Sequence, residues 1–158
     1  MNVIERGKPV GQLDRESFEA AVRKRFGVEP LDVQLGLELA QIQLQKGAIQ
    51  DSFRTHIALV LSNTCNIDAQ LGLAACALRV GQNELAIQAA STVVALAPAD
   101  PRGYFLSGLG CLASQHHKEA TEDLTDAAAF ARRDNNIAIV EESERLLAEL
   151  SKSAVEAD

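Results

Sequence analysis

Apolar side chains recur along this chain every three or four residues, and short polar or glycine-containing segments interrupt them. This spacing places the apolar side chains on one face of a helix, so the chain is predicted to be all-α. The pattern begins with a predicted helix at about residues 15–26, which has Asp14 as its N-cap and an apolar face that includes Phe18 and Val22. That face must pack on the rest of the chain or on another chain.

The pattern repeats every 34 residues between residues 33 and 134, without insertion or deletion. In each copy a small side chain lies at positions eight and twenty, an apolar one lies at position twenty-seven, and a turn is predicted at position fifteen. This arrangement is typical of tetratricopeptide repeats, which are helical hairpins that bury their apolar faces by stacking. The residues concerned are Ala40, Ala74 and Gly108 at position eight, Ser52, Ala86 and Ala120 at twenty, Leu59, Val93 and Ala127 at twenty-seven, and Gly47, Gly81 and Gln115 at the turn.

The sequence therefore predicts a tetratricopeptide-repeat solenoid with a helix at each end. Asp100 and Pro101 are predicted to be the N-cap and the first residue of the third repeat. The C-terminal helix is predicted over about residues 137–150, and the residues after it are expected to fray. The predicted divisions are an N-terminal segment at 1–32, repeats at 33–66, 67–100 and 101–134, and a capping helix with an acidic tail at 135–158.

Composition and charge exclude several classes of partner. The formal net charge of −7 argues against a nucleic-acid-binding surface, which needs clustered Lys and Arg. The longest apolar stretch, residues 85–97, is polar at three positions and shorter than the roughly 20 residues that cross a bilayer. The first twelve residues contain no apolar export signal. We therefore expect a cytoplasmic protein that binds neither nucleic acid nor membrane.

No catalytic, cofactor or metal motif is visible. The three cysteines, Cys65, Cys76 and Cys111, are too widely spaced for a metal or redox motif. His116 and His117 fall in a predicted turn, where exposed polar residues are common. The sequence predicts that the protein is not an enzyme and needs no cofactor or metal.

The predicted function is instead binding, on the concave side of the stacked repeats. The first helix of each repeat lines that side with its positions two, five, nine, twelve and thirteen, and positions five and twelve are apolar in all three copies. An apolar strip with a polar rim suits a peptide with apolar anchors. The alternative is that these residues belong to the core between repeats or are covered by the N-terminal helix. The predicted groove residues are Leu37, Gln41, Leu44, Leu71, Ala75, Leu78, Arg79, Phe105, Leu109 and Leu112.

The second repeat resembles that of a known family. The run Leu-Gly-Leu-Ala-Ala-Cys at residues 71–76, followed by Gly-Gln at 81–82 and Leu-Ala-Ile at 85–87, is similar to class II chaperones of bacterial type III secretion. These chaperones hold translocator proteins before export. The likeness extends to Cys-Leu at 111–112 and covers about residues 31–133.

The resemblance implies a function and partners. Family members bind an extended translocator segment in the concave groove, and many form homodimers through N-terminal helices. It implies anchor-binding roles for Leu37, Leu44, Leu71, Leu78 and Phe105, and a dimer or packing role for Phe18 and Val22. Two alternatives stay open: a chaperone of a needle or filament subunit that binds an amphipathic helix, and a general tetratricopeptide adaptor.

Overall fold

A computed structural model describes residues 30–156, and this part of the chain is entirely helical and contains no strand. The predicted N-terminal helix with Phe18 and Val22 lies outside the described residues. The helices are α1 (Pro30–Gln45), α2 (Ile49–Ser62), α3 (Ile67–Arg79), α4 (Asn83–Leu96), α5 (Pro101–Ala113), α6 (His117–Arg133) and α7 (Ile137–Glu156).

The helices are stacked in chain order. Each helix packs against the next, while α3 also contacts α5 and α5 contacts α7. A chain whose elements contact only near neighbours in this way is a solenoid of helical hairpins. The predicted all-α tetratricopeptide-repeat architecture is confirmed.

Small side chains let the two helices of each hairpin approach closely. In the first hairpin, Ala40 and Ser52 are both completely buried, and the Ser52 hydroxyl donates a hydrogen bond of 3.0 Å to the Ala40 carbonyl. In the second hairpin, Ala74 and Ala86 are equally buried. A larger side chain at either position would separate the helix backbones, so this contact sets the width of the hairpin.

Glycine is required at the same position of the third hairpin. A Cβ on Gly108 would lie 2.8 Å from Cγ of Leu124, a fully buried residue. Leu124 is larger than Ala90, its equivalent in the second hairpin, so the opposite helix must provide the space. The third hairpin therefore exchanges side-chain volume between its two helices without changing their spacing.

The turn between the two helices of each hairpin has a residue in the left-handed backbone conformation at the same repeat position, although the residue type differs. Gly47 and Gly81 have φ values of 74° and 76°, and Gln115 has a φ of 63°. In each turn the next residue donates a 2.8 Å hydrogen bond to the carbonyl five residues earlier, as from Gln82 to Ala77. This pattern is the Schellman motif that ends many helices. Gln115 thus adopts a conformation that favours glycine.

The third hairpin ends differently from the other two. Asp100 and Pro101 begin α5 as predicted, and the Asp100 side chain accepts a hydrogen bond from the Arg102 amide. Helix α6, however, continues through Arg133, and a left-handed Asn135 then leads into α7. Arg132 lies where the second hairpin has Pro98, so nothing stops the helix there. Residues 151–156 were expected to fray, and this expectation is wrong because α7 extends to Glu156.

The shared turn geometry predicts opposite effects for two reciprocal substitutions. Gln115→Gly should raise the free energy of unfolding by about 0.5–1 kcal/mol, because it removes the cost of positive φ for a residue with a Cβ. Gly81→Gln should lower it by a similar amount, although no other atom lies within 4 Å of the added Cβ. Urea denaturation followed by circular dichroism measures both changes. Equal stability of all three proteins would show that the turn conformation carries no strain.

Candidate functional site

A cavity of about 620 Å³ opens between α1 and α3, with His56 of α2 in its lining. Helices α3 and α5 pack on each other directly, whereas α1 and α3 have at most a marginal contact, which leaves this space. The cavity combines apolar side chains with amides and two carboxylates. Its lining residues are Gln34, Leu37, Glu38, Gln41, Ile42, Leu44, Gln45, His56, Asp68 and Gly72.

Part of the predicted groove lies together in this cavity. Leu37, Gln41 and Leu44 of the first repeat all line it. The other predicted groove residues do not line it, although most of them are at least partly exposed. Of these, Arg79 is exposed, and the partly exposed ones are Ala75, Leu78, Phe105, Leu109 and Leu112.

Leu71 is the exception among the predicted groove residues. Its side chain is only 8% exposed and belongs to the apolar core. The sequence left open whether the predicted groove residues line a groove or belong to the core between repeats. For Leu71 the structure supports the core. An anchor of a bound peptide has little access to this side chain.

His56 was not predicted to belong to the groove. Its side chain is 5% exposed, and Nδ1 lies 2.9 Å from the Ser52 carbonyl oxygen. The imidazole ring lies against the backbone of Gly72, where a Cβ would come within 2.0 Å of Nε2. Burial lowers the pKa of His56, and the Ser52 carbonyl offsets part of this effect. The ring is therefore neutral at neutral pH.

One signal in the sequence could have identified His56. It occupies position twenty-four of the first repeat, where the second and third repeats have the buried residues Ala90 and Leu124. A titratable side chain at an apolar core position needs polar partners, and this requirement makes it a candidate functional group.

The charged residues of the cavity are acidic. Glu38 accepts a hydrogen bond of 3.3 Å from the Gln34 amide. Asp68 lies 3.9 Å from the guanidinium of Arg102, but Arg102 is held mainly by the closer Asp100, at 2.7 Å. The cavity lining contains two carboxylates and neither Lys nor Arg.

A second surface feature lies on α1 next to the cavity, and Ile42 belongs to both. Leu35, Leu39 and Ile42 of α1 are 53%, 49% and 45% exposed. Their equivalents in the second repeat, Ala69, Leu73 and Cys76, are at most 4% exposed because α3 packs on α2. We call Leu35, Leu39 and Ile42 the α1 stripe. It is an apolar face that the later repeats bury and the first repeat exposes.

The remaining candidate groups have ordinary surroundings. His116 and His117 are both exposed, as expected; His116 is the N-cap of α6 and His117 is the first residue of that helix. Cys76 and Cys111 are buried thiols, and burial raises the pKa of Cys111. Within residues 30–156, no three His, Cys, Asp or Glu side chains are grouped so that they could hold a metal ion. None of the helices in this range is long and apolar enough to cross a membrane.

Comparison with known proteins identifies structural relatives. Neither a protein-family model nor a curated protein sequence matches the chain. PcrH of Pseudomonas aeruginosa, in complex with the chaperone binding region of PopD, has a TM-score of 0.75 and 22% identity over 81% of this chain and 97% of PcrH. The Yersinia enterocolitica type III secretion chaperone SycD, in complex with a peptide of the translocator YopD, has a TM-score of 0.74 and 23% identity over 80% of this chain and 97% of SycD.

A protein outside secretion is also similar. The first tetratricopeptide-repeat domain of Spaghetti (RPAP3), bound to the HSP90 peptide SRMEEVD, has a TM-score of 0.71 and 17% identity over 81% of this chain and 97% of that domain. At these identities the likenesses establish the fold. The choice of client must come from the side chains of this protein.

The burial of Leu71 predicts a contrast between two leucines of α3. Leu71→Glu should lower the free energy of unfolding by about 3 kcal/mol or more, because it places a carboxylate in the apolar core. Leu78→Glu should cost less than half as much, because Leu78 is partly exposed. Chemical denaturation of both variants measures the difference. Equal costs would mean that the two side chains have similar access to solvent.

Proposed function

We propose that this protein is a type III secretion chaperone that binds a translocator protein in the cytosol and holds it before export. The observation that carries this proposal is the cavity of the first hairpin, where Leu37 and Leu44 are partly exposed beside the polar side chains of α1. Partly exposed leucines next to amides suit an extended segment that inserts apolar anchors and leaves its backbone near hydrogen-bonding groups.

The groove is proposed to continue along the later repeats. Leu78 and Leu112 occupy the repeat position of Leu44, Phe105 occupies that of Leu37, and all three are partly exposed. A client that follows these positions would contact all three hairpins. This arrangement would spread binding over several modest contacts rather than one deep pocket.

Two further observations support a secretion client. The residue runs of the second repeat resemble class II secretion chaperones, and the solved structures of PcrH and SycD, which share this fold, contain segments of PopD and YopD. The physical role would be to cover membrane-seeking segments of the client. A bound client is removed from aggregation by mass action, and this needs no nucleotide.

The cavity also bears on the alternative of a general adaptor. The peptide bound to the Spaghetti domain contains three acidic residues in SRMEEVD. Glu38 would repel such a peptide here, because the cavity lining contains no Lys or Arg, and Asp68 has only the more distant contact of 3.9 Å with Arg102. The acidic lining therefore favours a different client. An amphipathic helix of a needle or filament subunit remains an alternative occupant of the groove.

The proposal predicts that one groove substitution abolishes binding of the client. Leu78→Glu should reduce recovery of a co-expressed translocator at least tenfold, because a carboxylate replaces an apolar contact. Ala95→Glu, at an exposed position of α4, is the matched control and should bind normally. Affinity purification with mass spectrometry identifies and quantifies the partner. Normal binding by Leu78→Glu would exclude the groove of the second repeat as the client site.

We also propose that the α1 stripe is an interface. The predicted helix at residues 15–26, with Phe18 and Val22, would cover it either from the same chain or from a second copy in a homodimer. The support is the repeat pattern itself, because the equivalent face of α3 is buried by the helix that precedes it. The predicted N-terminal helix precedes α1 in the same way.

Substitution within the α1 stripe tests this interface. In the full-length protein, Leu39→Asp and Phe18→Asp should each lower the melting temperature by several degrees, because each puts a charge into an apolar contact. Light scattering would show a fall in mass if the contact is between two copies and a constant monomeric mass if it is within one chain. Leu61→Asp, at a leucine that is 65% exposed, is the control. Unchanged melting and mass in both variants would contradict an interface.

A further inference from the structure

At the first junction between hairpins a large side chain, His56, packs on a glycine, Gly72. At the second junction the large and small residues are the other way round. His56 lies at position twenty-four of the first repeat and packs on Gly72, which lies at position six of the second. The corresponding pair in the next repeats is Ala90 and Leu106, and Leu106 packs against the core cluster that contains Ala90. At the first junction the large side chain is therefore His56 on α2, and the residue opposite it on α3 is a glycine. As a result, an imidazole borders the cavity where the next junction has a leucine.

The hydrogen bonds of His56 determine which ring nitrogen carries the proton. The Ser52 carbonyl oxygen, 2.9 Å from Nδ1, can only accept a hydrogen bond. The Ser52 hydroxyl, 3.4 Å from Nδ1, gives its own proton to the Ala40 carbonyl. Nδ1 must therefore be the donor, and in the neutral ring Nε2 is an acceptor. Among the described residues, none forms a hydrogen bond with Nε2.

The surroundings of Nε2 select the kind of group that can bind there. His56 is only 5% exposed, yet together with Gly72 it borders the cavity. The charged groups of the lining are Glu38 on α1 and Asp68 on α3. The other polar groups close to the ring are Ser52 and the Cys76 thiol, which lies 3.8 Å from Nδ1. Asp68 also lies 3.9 Å from Arg102, whereas the cavity lining contains no Lys or Arg that could pair with Glu38. An acceptor nitrogen that shares a cavity with these two carboxylates favours a cationic hydrogen-bond donor.

We infer that the cavity of the first hairpin binds a lysine or arginine side chain of the client segment, with its N–H group donating to Nε2 of His56 and its charge balanced by Glu38 and Asp68. This inference rests on the proposed function, since it names the residue that the groove recognises beside the apolar anchors. The leucines Leu37 and Leu44 provide apolar contacts for the aliphatic part of that side chain.

Two synthetic peptides test the inference. Each is a blocked alanine heptapeptide with leucine at its second and sixth positions, and one has lysine at the fourth position where the other has norleucine. In an extended chain these three side chains point to the same side. Norleucine has the same straight aliphatic chain as lysine but no ammonium group, so the pair isolates the donor.

Wild-type protein should bind the lysine peptide about tenfold more tightly than the norleucine peptide, as expected for a hydrogen bond to a charged group. The preference should fall below about twofold in His56→Leu, which has the residue of the third repeat at this position. His56→Ala, which has the residue of the second repeat, provides a second variant if His56→Leu does not fold. Dissociation constants come from titrations followed by nuclear magnetic resonance.

The imidazole nitrogen signals provide a readout that a purely structural histidine would not change. Nε2 of His56 should show the shift of an unprotonated nitrogen in the free protein and should move when the lysine peptide is added. His116 and His117 are exposed at the start of α6 and serve as internal references. A proton on Nε2 in the free protein would overturn the inference.

The other outcomes separate the two proposals. Equal affinity of wild-type protein for both peptides would overturn the inference about His56 and leave the groove intact. A lysine preference that survives His56→Leu but disappears in Glu38→Gln would assign recognition to the carboxylates alone, and this too would overturn it. If neither peptide binds, the proposed groove fails, and the inference fails with it.

Discussion

The close contact between the two helices of each hairpin is the constraint on which the rest of this structure depends. Ala40 and Ser52 in the first hairpin are completely buried, and their counterparts in the second, Ala74 and Ala86, are too. Because the backbones are so close, a large side chain fits at this contact only opposite a glycine, as Leu124 does against Gly108, and other large side chains pack between hairpins. Stacking is therefore the way to bury them, and it leaves an open face at the start of the array. The α1 stripe is that face.

The same constraint explains where the cavity forms. Differences in side-chain volume occur at the junctions between hairpins as well as inside the third hairpin, where Leu124 packs on Gly108. Leu106 packs beside Ala90 at the second junction, where α3 and α5 are in direct contact. His56 packs against Gly72 at the first junction, where α1 and α3 have at most a marginal contact. The imidazole of His56 and the glycine at residue 72 thus take the place that Ala90 and Leu106 have at the second junction. In this way a solenoid whose repeats have similar backbones would acquire one distinct binding surface.

The sequence predicted the features that depend on residue size and period. The 34-residue spacing, the small contact positions and the Asp100 cap all follow from local rules and agree with the structure. Side-chain access was harder to predict, because it depends on the neighbouring hairpin as well as on the repeat position. Leu71 and Leu37 are equivalent in the repeat, yet Leu71 is in the core and Leu37 lines the cavity. His56 was missed because its role arises from contact with Gly72, sixteen residues away along the chain.

A shallow groove suits the proposed role, in which the protein must release its client. Partly exposed leucines such as Leu44 and Leu78 gain only part of the roughly 1.5–3 kcal/mol available from burying a whole side chain. Ordering an extended client costs free energy at each residue, so several such contacts would give reversible binding. A single polar interaction at His56 would change the affinity about tenfold and would select against segments that cannot satisfy it. Specificity and release are therefore compatible, because the groove would discriminate at one imidazole nitrogen while holding the client through contacts that break one at a time.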